Sequence, residues 1–275
     1  MRQHKLDDAE TLVIADADVL MRPTTRRTFV RLMGAGGAIA LLPSVFGACT
    51  MTPGMGAPIA AAGLMFDLRS DIGIFRLVHT LEQLEAAFYS AVVSNANFGA
   101  FFSAAERELF TDLRDVEIVH REFLRAALGS QAVPDVTGAI DAMTLNAILS
   151  SRANIIGTAR LFEHLGVSGL NGAGKYLRDA RNLLLAGKFV SVEARHAAAL
   201  RDIMPPAGQN ANTAFAGDDI TDANGMDVKL EAGAVLDRVA ATNLVRGGAV
   251  SARNITDAPT ATQGRPSANY FPTTA

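Results

Sequence analysis

The sequence contains no tryptophan, three tyrosines and a single cysteine, Cys49, among 275 residues. One cysteine excludes an intramolecular disulfide and any cysteine-based zinc or iron-sulfur site. Basic and acidic residues nearly balance, 25 against 28, and there is no basic patch with interleaved aromatics, so nucleic acid is not an expected partner. Long β-branched runs are scarce, whereas alanine and leucine are abundant, and the composition therefore predicts helices rather than sheets.

A long apolar run is also lacking. The segment from Leu32 to Ala48 is rich in glycine and alanine, but it is interrupted by Pro43 and is shorter than the roughly 20 residues that span a bilayer. It follows Thr25–Arg31, which contains Arg26-Arg27 and resembles a twin-arginine export motif. Residues 1–48 are therefore expected to be a signal peptide that directs the protein to the periplasm or cell envelope.

The end of this segment, Phe46-Gly47-Ala48-Cys49, resembles a lipoprotein cleavage site, although that pattern prefers leucine where Phe46 stands. A lipid on Cys49 would be the expected contact with a membrane. Simple cleavage after a small residue is the alternative, which leaves Cys49 free or removes it. Met21 is an alternative start to Met1, and residues 49–69 are expected to be a linker.

Four helices are predicted next, forming an all-α bundle over residues 70–204. Ser70 or Asp71 can cap the first, which runs to about Asn95, and Ser103 with Glu106 forms a capping box for the second, which ends near Gly129. The third runs from about Ala142 to Leu165. We expect Gly166, Gly169, Gly172 and Gly174 to break the chain before the fourth, from about Lys175 to Met204, which Pro205-Pro206 stops.

Two further segments complete the predicted organisation. Residues 130–141 form a connection long enough to cross the length of a bundle. Residues 205–275 are expected to be a tail with one short amphipathic helix, Leu230 to Leu244, and to be extended or disordered elsewhere.

A Glu-x-x-His pair occurs twice, as Glu117 with His120 and as Glu193 with His196. Three-residue spacing places both groups on one helical face. That face is apolar in both helices: the flanking positions are Phe110, Leu113, Leu124 and Leu128 in one, and Ala186, Phe189, Leu200 and Ile203 in the other. A carboxylate in such a stripe needs a proton, an ionic partner or a metal ion.

Other carboxylates lie on the apolar faces of the remaining helices. Glu82 and Glu85 share a stripe with Tyr89 in the first helix, where a solvated helix edge is the alternative interpretation, and Glu163 lies in the third. His164 points about 100° away from Glu163 and is expected to be exposed or to support the site indirectly. Neither His164 nor His79 has the context of a catalytic triad, so Ser-His-Asp and Cys-His catalysis have no support.

One glutamate from each of two helices and a Glu-x-x-His from each of two others form the inward ligand set of dinuclear carboxylate-bridged bundles. Four carboxylates carry four negative charges, which two divalent ions cancel. Oxygen with imidazole ligands suits iron or manganese.

Three stretches, Thr80–Tyr89, Leu161–Val167 and Val192–Ala197, resemble the ferritin-like superfamily and its exported, desiccation-related branch. The resemblance implies an antiparallel four-helix bundle with a long crossover between helices 2 and 3. It also implies two bound iron ions, with manganese as the alternative, that react with O₂ or peroxide. The implied metal ligands are Glu82, Glu117, His120, Glu163, Glu193 and His196.

Three positions qualify that assignment. By the resemblance, Tyr89 would donate a hydrogen bond to a ligating carboxylate. Its seven-residue offset from Glu82 is similar to the family's, which favours Glu82 over Glu85 as the ligand from the first helix. Ala159 stands where related bundles often have an acid, so the group that orients a ligating histidine is not evident.

Two functions follow. The first is a di-iron oxidase or ferroxidase of the cell envelope, in which Glu117 and Glu193 bridge the metals. The second is a non-enzymatic stress or desiccation-related envelope protein that retains a vestigial or structural metal site.

Overall fold

The computed structural model describes residues 64–246 and 249–260. The helices in this part of the chain are α1 (Asp71–Val93), α2 (Phe98–Phe101), α3 (Ala104–Leu128), α4 (Ala142–Ile148), α5 (Arg152–Gly174), α6 (Ala180–Ile203), α7 (Ala211–Ala214) and α8 (Ala232–Ala241). Two short strands are β1 (Phe66–Asp67) and β2 (Ile255–Asp257). The predicted signal peptide, Cys49 and the choice between Met1 and Met21 lie outside the described residues and stay predictions.

The first two bundle helices begin where their capping residues predict. The Ser70 side chain accepts a hydrogen bond from the backbone N–H of Gly73 at the start of α1. At the start of α3, the Glu106 N–H donates to Ser103 Oγ and the Ser103 N–H donates back to Glu106. Both bonds of the capping box are therefore present, and they satisfy backbone donors that a helix start leaves free.

A helix begins at Ala142, as predicted for the third helix, but it is not continuous and does not end at Leu165. It is broken by residues 149–151 into α4 and α5, because Ser151 caps a new helix through the N–H of Asn154. Helix α5 then continues through all four glycines to Gly174, and α6 begins only at Ala180, after the Asp179 cap.

The glycines of α5 allow close packing and do not break the helix. A β-carbon at Gly172 would lie 1.9 Å from the carbonyl oxygen of Leu230, which is closer than any atom can approach. At Gly166 it would lie 3.1 Å from a carboxylate oxygen of Glu193, and at Gly169 3.2 Å from Val235. The lack of side chains lets α6 and the C-terminal segment approach α5.

The bundle consists of two helix pairs, α1 with α3 and α5 with α6, which pack against each other. The all-α bundle prediction is confirmed. Its crossover between α3 and α5 is held by two side chains of α1. His79 Nδ1 accepts from the Val133 N–H at 3.3 Å, and Gln83 Oε1 accepts from the Val136 N–H at 3.0 Å. Within the described ranges, no helix is both long and apolar enough to cross a membrane.

The C-terminal region is more ordered than the sequence predicts, as far as residue 260. The predicted short helix is present as α8, whose Val235, Leu236 and Val239 are buried. The rest of residues 205–260 was expected to be extended or disordered, but β2 pairs in parallel with β1. Asn254 also donates to the backbone of Leu64 at 2.8 Å. These contacts are between residues about 190 positions apart, which local composition cannot indicate.

Candidate metal centre

The four bundle helices bring together all six residues proposed as ligands. Glu82 comes from α1, Glu117 and His120 from α3, Glu163 from α5, and Glu193 and His196 from α6. The four carboxylates are at most 3% exposed, and the two imidazoles are exposed by about a tenth. The Glu-x-x-His spacing places acid and imidazole on one helical turn, both facing the bundle interior.

The first of two groups contains Glu82, Glu117, His120 and Glu193, with one possible ligand atom from each residue and all four atoms within 4.8 Å of one another. His120 Nδ1 lies 3.1 Å from Glu117 Oε2, 3.1 Å from Glu193 Oε1 and 3.4 Å from Glu82 Oε2. The largest separation between these atoms, 4.8 Å, is about twice a metal–oxygen bond length of roughly 2.1 Å, so a single ion between them could contact all four residues.

The second group contains Glu117, Glu163, Glu193 and His196, with the same spread of 4.8 Å. His196 Nδ1 lies 2.9 Å from Glu117 Oε1 and 3.2 Å from Glu163 Oε2. Glu117 and Glu193 belong to both groups. Their two carboxylates therefore lie where bridging ligands of a dinuclear centre would lie.

The carboxylates are not satisfied by the protein. Within the described residues, four buried oxygens receive no well-aligned hydrogen bond: Glu82 Oε2, Glu117 Oε1, and both oxygens of Glu193. A single N–H on His120 cannot serve the three carboxylates around it. Buried, unsatisfied carboxylate oxygens of this kind fit a hard or borderline divalent cation, with imidazole completing the donor set.

The protonation equilibria reflect this crowding. Burial raises the pKa of Glu82 and Glu163 well above the usual range. Burial would also raise the pKa of Glu117, but the neighbouring His120 and His196 reverse this and lower it below its usual range. Although burial acts to lower the pKa of His196, Glu163 and Glu117 raise it to about 10, and His120 is raised in the same way by Glu82 and Glu117. The raised pKa values favour the protonated imidazoles, whose positive charge partly offsets the charge of the carboxylates.

Tyr89 supports the second group. Its hydroxyl donates to Glu163 Oε1 at 2.5 Å, in a region where both side chains are fully buried. Burial, followed by the charge of Glu163, raises the pKa of Tyr89 well above its usual value, so the hydroxyl stays a donor. Phe88 and Phe110 pack their rings around it at 5.2 and 6.2 Å between centroids.

Glu85 is buried but belongs to neither group. Burial raises its pKa well above the usual range, and the nearby Glu82 raises it further. Both carboxyls border an apolar cavity of about 50 Å³, whose other walls include Leu165, Gly169 and Val235. A cavity of this volume has room for only a few molecules of about the size of water.

The sequence did not indicate what lies beyond the ligands. Ala159 is buried in an apolar cluster, and no described residue hydrogen-bonds Nε2 of His120 or His196. His164 was expected to be exposed or to support the site, but it is half-buried and its Nε2 lies 3.1 Å from Arg201 Nη1, outside both groups. His79 binds the crossover. Arg201 is buried and pairs with Asp219, a contact that no local motif signals.

Fold and site together define a helical bundle with a buried cluster of carboxylates and histidines that is compatible with a metal site. Residues 70–205 match the family model described as "Ferritin-like domain", and over that range the chain belongs to this family. No curated protein and no solved structure matches the chain. The narrower assignment to an exported, desiccation-related branch stays a prediction.

Proposed function

We propose that the protein binds two iron ions in this cluster and oxidises Fe(II) with O₂ or peroxide. The observation that carries the proposal is the set of buried carboxylate oxygens without hydrogen bonds, shared between two overlapping groups of possible ligands. Manganese fits the same donors and is the alternative metal.

Each of the six proposed ligand residues has a role in this proposal. Glu82 and His120 would hold one ion and Glu163 and His196 the other, and Glu117 and Glu193, which belong to both groups, would be shared between them. Four carboxylates offset the charge of two divalent ions. Bound iron supplies one-electron redox chemistry at each ion and Lewis acidity.

The surrounding residues control access and orientation. Tyr89 fixes one oxygen of Glu163 by its hydrogen bond, so the carboxylate offers the other toward His196. Four carboxylates already balance the charge of two divalent ions, and Glu85 is a fifth carboxyl beside them. Its raised pKa favours the neutral, protonated form, which adds no further negative charge. The apolar cavity of about 50 Å³ beside Glu82 is large enough for a small oxidant.

The proposed reaction is the oxidation of two Fe(II) ions by O₂ or by peroxide. Two Fe(II) substrate ions each lose one electron, and O₂ takes up both electrons with two protons to give hydrogen peroxide. When peroxide is the oxidant, its O–O bond accepts the two electrons and two water molecules form with two protons.

The test is the rate of Fe(II) oxidation by the full-length purified chain in air-saturated buffer, followed by the ultraviolet absorbance of Fe(III). We expect the wild type to exceed buffer by at least about tenfold, a barrier difference of about 1.4 kcal/mol. Glu193→Ala should fall to the buffer rate because a bridging carboxylate is lost. Glu108→Gln removes an exposed glutamate from α3 and should match the wild type.

A wild-type rate no faster than buffer would contradict the oxidase assignment. With metal still bound, that result would favour the non-enzymatic stress or desiccation-related alternative, with a structural site.

A further inference from the structure

A second cavity, of about 520 Å³, lies on the side of α5 and α6 that faces away from the metal centre. The segment 205–228, which follows α6, lines its other side and leaves it open to solvent. Its lining includes Arg160 and His164 of α5 and Arg195 of α6. Glu163 and His196, the chain neighbours of His164 and Arg195, face the metal centre. Cavities of roughly 300–1,000 Å³ commonly hold small-molecule ligands.

The cavity is positively charged. Four arginines and two aspartates give its lining a formal charge of +2, and they are Arg160, Arg195, Arg201, Arg238, Asp219 and Asp227. Only one of the four arginines is neutralised. Arg201 forms a two-contact ion pair with Asp219, at 2.6 and 2.9 Å, and also donates to the Ala214 carbonyl.

The other three guanidinium groups lack an acidic partner in the described part of the chain. Arg160 donates to the Met204 carbonyl at 2.6 Å, and Arg195 donates to Ser191 Oγ at 3.1 Å. Arg238 is exposed and hydrogen-bonds no described residue. Arg160 is half-buried, and burial together with the nearby Arg201 lowers its pKa, while Asp219 acts in the opposite direction. Asp219 forms its ion pair with Arg201 and not with Arg160.

The remaining wall is apolar. Leu161 and Val167 of α5 face Phe215, Ile220 and Val228 of the C-terminal segment, and Phe215 is 61% exposed at the opening. An inorganic anion would leave the apolar wall exposed to water. A ligand with both an anionic head and an apolar body would contact both kinds of wall.

We propose that this cavity binds a small organic anion, in which a carboxylate or phosphate head contacts Arg160 and Arg238 and an apolar body packs on Leu161, Val167 and Val228. The planar guanidinium fork matches both kinds of oxyanion. The proposal does not depend on oxidation at the metal centre.

Isothermal titration calorimetry of the full-length chain tests it with four probes: octanoate, octyl phosphate, inorganic phosphate and octanol. We expect one of the first two to bind, and the comparison between them identifies the head group. Octanol and inorganic phosphate should bind at least tenfold more weakly, since each lacks half of the recognised chemistry.

Three variants locate the site. Arg160→Gln and Arg238→Gln should each weaken binding of the preferred probe by about tenfold or more. Arg253→Gln removes an exposed arginine outside the cavity and should leave binding within twofold. Arg238 is exposed, so folding should not depend on it, and circular dichroism checks Arg160→Gln. Absence of binding by all probes, or binding that neither variant weakens, would overturn the proposal. If inorganic phosphate bound as tightly as octyl phosphate, the proposed packing of an apolar body on the cavity wall would be overturned.

Discussion

The buried carboxylates of this chain differ in whether hydrogen bonds satisfy their oxygens. Asp71 is buried, yet its oxygens accept hydrogen bonds from the backbone of Arg178 and Asp179 and from the Asn182 amide, at 2.8 to 3.1 Å. Glu193 is more deeply buried, and neither of its oxygens receives such a bond. Burial alone therefore does not distinguish a candidate ligand, whereas burial without donors does, because an unpaired charge in the interior is costly and favours a cation as its partner.

Tyr89→Phe tests the support of Glu163. Loss of the hydroxyl leaves a buried carboxylate oxygen unpaired, and we expect the free energy of unfolding to fall by roughly 1–3 kcal/mol in urea titrations. Tyr176→Phe is the matched control, because its hydroxyl bonds Glu231 at an exposed position. The control should change stability by less than about 0.5 kcal/mol. Equal losses in the two variants would contradict the support role.

The pH dependence of metal binding tests the two imidazoles. Their pKa values are raised in the metal-free protein, to about 10 for His196. The ion pairs they form as imidazolium stabilise the metal-free fold fully below the unfolded pKa of about 6.5, and this contribution is lost as pH rises through the folded pKa. A metal ion must displace those protons.

We therefore expect Mn(II) to bind more tightly as pH rises from about 6.5 to 8.5. Calorimetry in buffers of different ionisation enthalpy should show protons released on binding. His164→Gln lies outside both ligand groups and should leave the proton count unchanged. An affinity independent of pH, with no proton release, would argue against imidazole ligation.

At the scale of elements, α5 determines how closely the bundle and the C-terminal segment pack. Gly166 adjoins Glu193, Gly169 adjoins Val235, and Gly172 adjoins the backbone of Leu230. The Leu230 N–H also donates to the Ser168 carbonyl at 2.8 Å. One face of this helix therefore positions a proposed ligand and anchors α8.

Replacing two glycines of α5 by alanine should have opposite effects. Gly172→Ala places a carbon against the Leu230 carbonyl, so we expect a loss of about 1–3 kcal/mol in the free energy of unfolding. A β-carbon at Gly157 would contact nothing within 4 Å, and Gly157→Ala should stabilise the helix by roughly 0.5–1 kcal/mol. Denaturant titration of both variants measures this. Stabilisation by Gly172→Ala would show that the close approach is wrong.

These glycines also show where the sequence is insufficient. Local rules identify glycine as a helix breaker, whereas the contacts that require glycine in α5 are made by residues up to 66 positions away. The Glu-x-x-His pairs were predictable because their three-residue spacing and apolar neighbours are local. Glu82 and Glu85 both face inward, as the stripe predicts. The structure separates them, because Glu82 lies near His120 and belongs to a group of possible ligands, whereas Glu85 belongs to neither group.

For the molecule as a whole, contacts between residues far apart in sequence determine what surrounds the proposed metal site. His79 and Gln83 of α1 accept hydrogen bonds from the crossover, and β2 near the C-terminal end of the described residues pairs with β1 near their start. Arg201 links α6 to the C-terminal segment through Asp219. The two proposed sites therefore share α5 and α6 but use different faces of these helices.

The most direct measurement of the central claim is the metal content of the full-length chain. The protein would be loaded with Fe(II) without oxygen, separated from free metal by gel filtration and analysed by inductively coupled plasma mass spectrometry. The account predicts two ions per chain for the wild type and for Glu108→Gln, and a clear loss in Glu193→Ala. A wild-type content far below two ions per chain would contradict it.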